Sequence, residues 1–246
     1  MTTRAEFLER IRKEVGKTGG LFQASTATRP ARPADAAEAV RRQMAERWPQ
    51  ALERFREEFE KVGGVFHRVP SAAEVPGVIL AVAREKRAKK LVTWDPASLG
   101  LDLRPALGAE GLSVTFAEEA GEAARLRHRA EAARAQLGVT GADLVLAETG
   151  TLILLSGAGR PRSTSLLPDT HVAVFDRRRL VESLEQVGIM LEALHADPAR
   201  TMTGAMISFI TGPSRTADIE LTLTRGVHGP KDVHAVFVDQ PMSGMP

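Results

Sequence analysis

The 246-residue chain contains no cysteine. It can form no disulfide, offers no thiolate nucleophile and cannot hold an iron–sulfur cluster on thiolates of its own. Long apolar runs are missing too, none approaching the roughly 20 residues that cross a bilayer. Residues 2–15 are charged and amphipathic, without the basic start and apolar core of a secretory signal. A cytoplasmic protein with no membrane span is the expectation. Nor is there an excess of one charge: 33 Lys and Arg face 31 Asp and Glu, for a net +2. The basic runs at 84–90 and 177–179 are separated and lie beside helical patterns, so they read as solvated faces, and nucleic acid is not an expected partner. A Walker A loop is absent, as is a G-x-G-x-x-G following a strand. The six histidines, at 67, 128, 171, 195, 228 and 234, show neither the i, i+4 nor the H-E-x-x-H spacing of zinc sites, and no metal is expected.

What remains is an ordinary globular composition, 43% hydrophobic and 26% charged. The length suits one large α/β domain or two small ones, burying about three quarters of the unfolded surface. Phe7, Leu8, Ile11 and Val15 share one face of a short helix, and a small-residue connector runs from Gly16 to Ala34. A second helical pattern starts at Asp35. Pro49 divides it, and Leu52, Phe55, Phe59 and Val62 continue its stripe up to Gly63-Gly64. Residues 1–62 thus read as an N-terminal helical arm and 63–246 as an α/β domain.

In that domain Val65–Val69, Leu91–Trp94, Ser113–Phe116, Val172–Phe175, residues 205–210 and Val233–Val238 read as strands. Helices are expected over Ser71–Arg87 and Gly121–Gln136, and along a stripe of Leu180, Leu184, Val187, Leu191 and Leu194. Asp143–Ala147 and Leu152–Leu155 lie back to back as a local antiparallel hairpin. The fold class is therefore α/β: a three-layer, mostly parallel sheet with helices on both faces, whose ligands are expected outside the carboxyl ends of the strands.

Two segments carry candidate chemistry. In Glu148-Thr149-Gly150-Thr151, apolar runs on both sides bring a carboxylate close to the core. Desolvation there would raise its pKa, as a general base or nucleophile needs; alternatively Glu148 accepts amide hydrogen bonds and fixes the turn. In Thr211–Pro230, Pro213 suits the first position of a helix with Gly212 as its cap, which leaves the amides of Ser214 and Arg215 to bind phosphate or carboxylate. Arg215 and Asp218, three apart, could instead pair with each other. His228, between Gly226 and Gly229, is a candidate proton donor or a plain turn residue. The loop 157–165, with two arginines and three hydroxyls, is a further anion contact or a solvated loop.

Four short motifs recur together: A-E-T-G-T-L at Ala147–Leu152, L-P-D-T-H at Leu167–His171, G-P-S-R-T-A-D-I-E at Gly212–Glu220 and G-V-H-G-P at Gly226–Pro230. In this combination, over about residues 60–240, the chain resembles the lactate-utilization protein C family, whose domain is called LUD. The resemblance implies a NagB/RpiA/CoA-transferase-like fold and a part in oxidising L-lactate to pyruvate with iron–sulfur partner subunits, the clusters residing on those partners. Four motifs occurring together imply loops converging on one pocket for a small anionic ligand, with Thr149, Gly150, Thr151, Gly212, Ser214, Arg215, Thr216, Asp218 and Gly229 as candidate walls; the resemblance supplies no catalytic residue, and Glu148 and His228 are candidates from the residues themselves. The alternative is a stand-alone isomerase or CoA-transferase-like enzyme using Glu148.

Overall fold

The computed structural model describes residues 3–17, 32–117, 121–196, 206–217 and 223–242. The first two helices are α1 (Arg4–Lys17) and α2 (Pro33–Lys61). Pro33 sits in the first turn of α2, where its missing N–H costs nothing, and Asp35 faces the positive end of the helix dipole. Pro49 does not divide α2, contrary to the sequence reading. Its ring is on the exposed side, and the Ala45 carbonyl it cannot serve belongs to a residue open to water, so the packing of the opposite face carries the helix through. That face buries Ala37, Val40, Met44, Ala51, Leu52, Phe55 and Phe59.

The chain then alternates: β1 (Val65–Val69), α3 (Val75–Glu85), β2 (Lys90–Thr93), the short helices α4 (Pro96–Leu99) and α5 (Arg104–Ala109), β3 (Ser113–Phe116), α6 (Glu122–Ala132) and β4 (Leu137–Gly141). A hairpin follows, β5 (Leu144–Leu146) and β6 (Thr151–Leu155), then α7 (Ser163–Leu166), β7 (Thr170–Asp176), β8 (Leu180–Val181) and α8 (Leu184–Ala196). The last elements are β9 (Ile207–Ile210), β10 (Arg215–Ala217), β11 (Leu223–Arg225) and β12 (Asp232–Val238).

Six of these strands form one sheet in the order β1-β12-β7-β4-β2-β3, every pairing parallel. Register places Phe66, Phe175 and Phe237 on one face and His67, Val139 and Val236 on the other. Phe55 of α2 meets the first face edge-on at Phe175 and Phe66, and Trp48 stacks on Phe237 at 5.8 Å. On the second face lies α3, where Lys86, just beyond its end, reaches Asp232 at 2.9 Å. All seven residues of β7 are buried, as a parallel strand covered on both sides must be. This is the three-layer α/β arrangement expected from the alternation of elements.

The hairpin belongs to a separate four-stranded sheet, β8-β5-β6-β9, in which only β5 and β8 run parallel. Two details differ from the sequence reading. Leu180 lies in β8, and α8 begins only at Leu184, so the leucine stripe overran the helix by one turn. The central strand β4 was not anticipated, because Leu137-Gly138-Val139-Thr140-Gly141 holds two glycines that weaken a strand pattern. Gly138 is there for space: a Cβ would come within 1.8 Å of the Thr164 carbonyl oxygen in α7.

Phe55→Ala is expected to cost about 3–5 kcal/mol in urea denaturation, the range for a fully buried aromatic. Phe7→Ala, on the exposed face of α1, should shift stability by less than about 0.5 kcal/mol.

Candidate functional site

The turn between β5 and β6 is a 3-10 turn over Ala147–Thr149, closed by Gly150 in the left-handed region at φ +61. A Cβ on Gly150 would lie 2.3 Å from the Phe59 backbone nitrogen, so the turn is pressed against the last turns of α2. From there a chain of hydroxyls runs outward: Thr149 Oγ1 to Thr151 Oγ1 at 2.7 Å, and Thr151 Oγ1 to Thr211 Oγ1 at 2.7 Å. Two motifs far apart in sequence are thereby joined. β6 and β9 pair antiparallel up to Leu152 and Ile210, which brings Thr151 and Thr211 side by side.

Glu148 is exposed rather than desolvated, which overturns the expectation of a carboxylate held near the core. Its Oε2 accepts the Leu184 N–H at 3.1 Å, and its own N–H donates to the Glu182 carbonyl at 3.1 Å. Leu184 is the first residue of α8, whose leading amides have no partner within the helix. Ser183 Oγ takes the Gln186 N–H at 3.4 Å, so Glu148 and Ser183 serve two of those amides and Glu148 sets a negative charge against the helix dipole.

The helix expected at Pro213 does not form. Arg215–Ala217 is strand β10, paired antiparallel with β11. Gly212 has φ +76, and a Cβ there would meet Val62 Cγ2 at 2.7 Å, so it is a close-approach glycine and not a helix cap. The Ser214 amide is occupied, donating to the Pro230 carbonyl at 2.9 Å. Ser214 Oγ accepts the His228 N–H at 3.2 Å, and a Cβ on Gly229 would lie 3.7 Å from Ser214 Cβ. The G-P-S-R and G-V-H-G-P motifs thus form one hairpin base. Arg215 donates to the Val62 carbonyl at 2.5 Å, placing its charge at the negative end of α2. Thr216 lies in β10, and Asp218 falls outside the described residues, as does any pairing of it with Arg215.

In the loop 157–165, Arg160 pairs with Asp143 at 2.7 Å and lies over the Trp94 ring, its Cζ 5.7 Å from the ring centroid. The Gly159 carbonyl accepts the Asp95 N–H at 2.8 Å, folding the loop across the ends of β2 and β4, where the strand order reverses. Near the ends of β4 and β7 is a cavity of about 370 Å³ between α2, α8 and β8, whose lining includes Arg41, Trp48, Asp143, Arg177, Arg178, Arg179 and Met190. A second cavity, of about 560 Å³, opens beside β3 and α6. Neither is lined by Glu148, Ser214, Arg215 or His228. Along α2 the first extends away from the joined motifs, Met44 at its wall lying roughly 27 Å from Val62 by the rise of an α-helix, while Val181 at its other wall pairs with Leu146 beside the Glu148 turn. The run 177–179, expected as a solvated face, is exposed at Arg177 and Arg178 and buried only at Arg179, and Arg178 binds the buried Asp176 through both carboxylate oxygens.

Three histidines are built into the sheet. His171 of the L-P-D-T-H motif is fully buried against Thr140, 2.8 Å from its Oγ1, and burial with His234 nearby pushes it down to about 3. His234 contacts His67 at 3.0 Å, and burial, then His67 and Lys86, lower it to about 4. Among the described residues no group of three or more His, Asp or Glu is placed to hold a metal ion. No described helix is long and apolar enough to cross a membrane.

Against known proteins, the LUD domain matches residues 52–238. Lactate utilization protein C of Halalkalibacterium halodurans is 42% identical over 150 residues, 61% of this chain and 62% of that protein. Its counterpart in Macrococcus caseolyticus is 35% identical, again over 61% of this chain and 62% of its own length. The matched stretch thus spans about three fifths of those two relatives. For the protein of the same name in Oceanobacillus iheyensis, identity is 30%, over 69% of this chain and 72% of the relative. Among solved structures, a DUF162 family protein from Deinococcus radiodurans superposes with a TM-score of 0.53 at 24% identity, covering 78% of this chain and 98% of that one, a likeness of fold.

Thr151→Val should cost about 0.5–1.5 kcal/mol, since it removes two hydroxyl hydrogen bonds whose remaining partners, Thr149 and Thr211, are exposed to water. Acid should destabilise the fold before the carboxylates titrate. His171 and His234 have folded values below the ordinary 6.5, so the unfolded chain binds more protons as pH falls through 6.5. Their contribution is complete above pH 6.5 and is lost progressively toward pH 4, and the thermal midpoint should drop across that window. A midpoint unchanged from pH 7 to pH 4.5 would contradict the burial of both rings.

Proposed function

Because the chain belongs to the LUD-domain family, we propose that it is a component of a lactate-utilization system, acting in the cytoplasm in the oxidation of L-lactate to pyruvate with iron–sulfur partner proteins. Electrons pass through clusters on the partners, since this chain has no cysteine to hold one. The observation that carries the reading is the meeting of the family motifs at one place. The A-E-T-G-T-L turn, the G-P-S-R hairpin and the G-V-H-G-P loop gather where α2 ends, linked by the Thr149–Thr151–Thr211 hydroxyls and by Arg215 on the Val62 carbonyl. That surface, with Gly150, Gly212, Ser214, Thr216, His228 and Gly229 in its two hairpins, is the proposed contact for a small anionic ligand. Arginine and hydroxyl donors suit such a ligand, and they act through side chains because the Ser214 amide is engaged.

A stand-alone isomerase or transferase using Glu148 is the competing reading. The carboxylate is accessible to a substrate, yet it is exposed to water where a base or nucleophile gains from desolvation, and it is held by the first amide of α8. The two readings part on one variant. As a component of the lactate system, the isolated protein shows no turnover with acyl-CoA substrates, and Glu148→Gln costs under about 1 kcal/mol, because the amide oxygen still accepts from Leu184. Turnover by the isolated protein that Glu148→Gln abolishes would establish the enzyme instead.

The main reading is tested in the host. Deletion of the coding sequence should abolish growth on L-lactate as carbon source, and the tagged protein should recover iron–sulfur proteins from lactate-grown cells. Normal growth after deletion, with no iron–sulfur partner recovered, would overturn it.

A further inference from the structure

The cavity between α2, α8 and β8 combines two kinds of surface. Its inner wall is apolar and adaptable, with Val40, Met44 and Trp48 of α2 facing Leu144, Met190 and Leu194. Its lining also carries four arginines, Arg41, Arg177 and Arg178 exposed and Arg179 buried, against a single acid, Asp143. That acid is already neutralised: Asp143 is paired with Arg160 at 2.7 Å and also accepts the Leu155 N–H at 2.7 Å. Of the arginines, Arg178 is spent on Asp176 and the Met242 carbonyl, while Arg41 has only the exposed Glu38 at 3.5 Å. Arg41 and Arg177 therefore leave the mouth of the cavity positive. Position supports a ligand too, because the cavity lies where β4 and β7 end, the side on which sheets of this class bind. Its volume of about 370 Å³ falls within the range of small-molecule pockets.

We propose that this cavity binds an organic anion with an apolar body, a carboxylate on a hydrocarbon tail, with the head at Arg41 and Arg177 and the tail against Met44, Trp48 and Met190. A short hydroxy acid such as lactate has too little apolar surface to cover that wall, so the site is separate from the anion contact proposed at the end of α2 and goes beyond it. Methionine and tryptophan side chains accommodate tails of different shape, and paired guanidinium groups select a carboxylate over a neutral head.

Trp48, one of two tryptophans in the chain, reports on the cavity. Titration with decanoate, below its micelle concentration, should change tryptophan emission saturably. Decanol should bind at least about tenfold more weakly, and decyltrimethylammonium should give no saturable change. Trp48→Phe should remove the optical signal while calorimetry still detects decanoate, and the double variant Arg41→Ala, Arg177→Ala should weaken decanoate about tenfold or more with an unchanged thermal midpoint. Both arginines are exposed, so the variant is expected to fold. No saturable response to decanoate by either emission or calorimetry would overturn the proposal, as would equal responses to all three amphiphiles. Neither result bears on growth on lactate or on recovery of iron–sulfur partners.

Discussion

The structure hangs on the seating of α2 across the parallel sheet. Phe55 is the centre of that contact: it stacks on Phe59 at 5.2 Å and meets Phe175 and Phe66 edge-on, while Trp48 stacks on Phe237 two turns earlier. Apolar burial of this kind is not directional, but ring-on-ring geometry is, and it fixes both the height and the rotation of the helix. Once α2 is fixed, its two ends have defined neighbours. The carboxyl end, at Val62, is where Gly150 and Gly212 pass with no room for a side chain. The amino-terminal half faces α8 and leaves the cavity under Trp48.

The same seating explains why charged groups in the motifs do quiet work. An α-helix leaves amides free at its start and carbonyls free at its end, and the ends of α2 and α8 are both served from distant parts of the chain. Arg215 reaches the Val62 carbonyl, and Glu148 reaches the Leu184 amide. Glu182 and Gln186 extend this seam, with Arg47 on Glu182 at 2.9 Å and Gln43 bonded to Gln186, tying α2 to α8 along the edge of the cavity. The motif residues are therefore structural partners of two helices and, at the same time, the lining of an outer surface.

Much of the fold was legible from residue patterns. The stripe Leu52, Phe55, Phe59 announces a helix whatever packs on it, and short apolar runs such as Val233–Val238, bounded by turn residues, announce parallel strands covered on both faces. Two signals failed for identifiable reasons. Gly138 hides strand β4, because the glycine answers to the Thr164 carbonyl overhead and not to strand propensity. Pro213 resembles a helix start, but the segment after it pairs with Leu223–Arg225, a partner invisible to local pattern. At the site, the meeting of Glu148-Thr149-Gly150-Thr151 with Thr211–Pro230 was readable as motifs that occur together, whereas the use of each side chain was not.

The sequence by itself determined that the chain carries no thiolate chemistry, that its core is a parallel α/β sheet, and that the turns at 148–151 and 211–230 belong to one family pattern. Composition and periodicity are local properties, and these conclusions need nothing more. Only the tertiary structure decided that Glu148 faces solvent against the start of α8, that the Ser214 amide is taken by Pro230, and that Arg41 and Arg177 edge a cavity instead of a featureless basic face. Each of those depends on which groups far apart in the chain arrive next to one another, and a carboxylate, an amide or a guanidinium has its chemistry set by that neighbour.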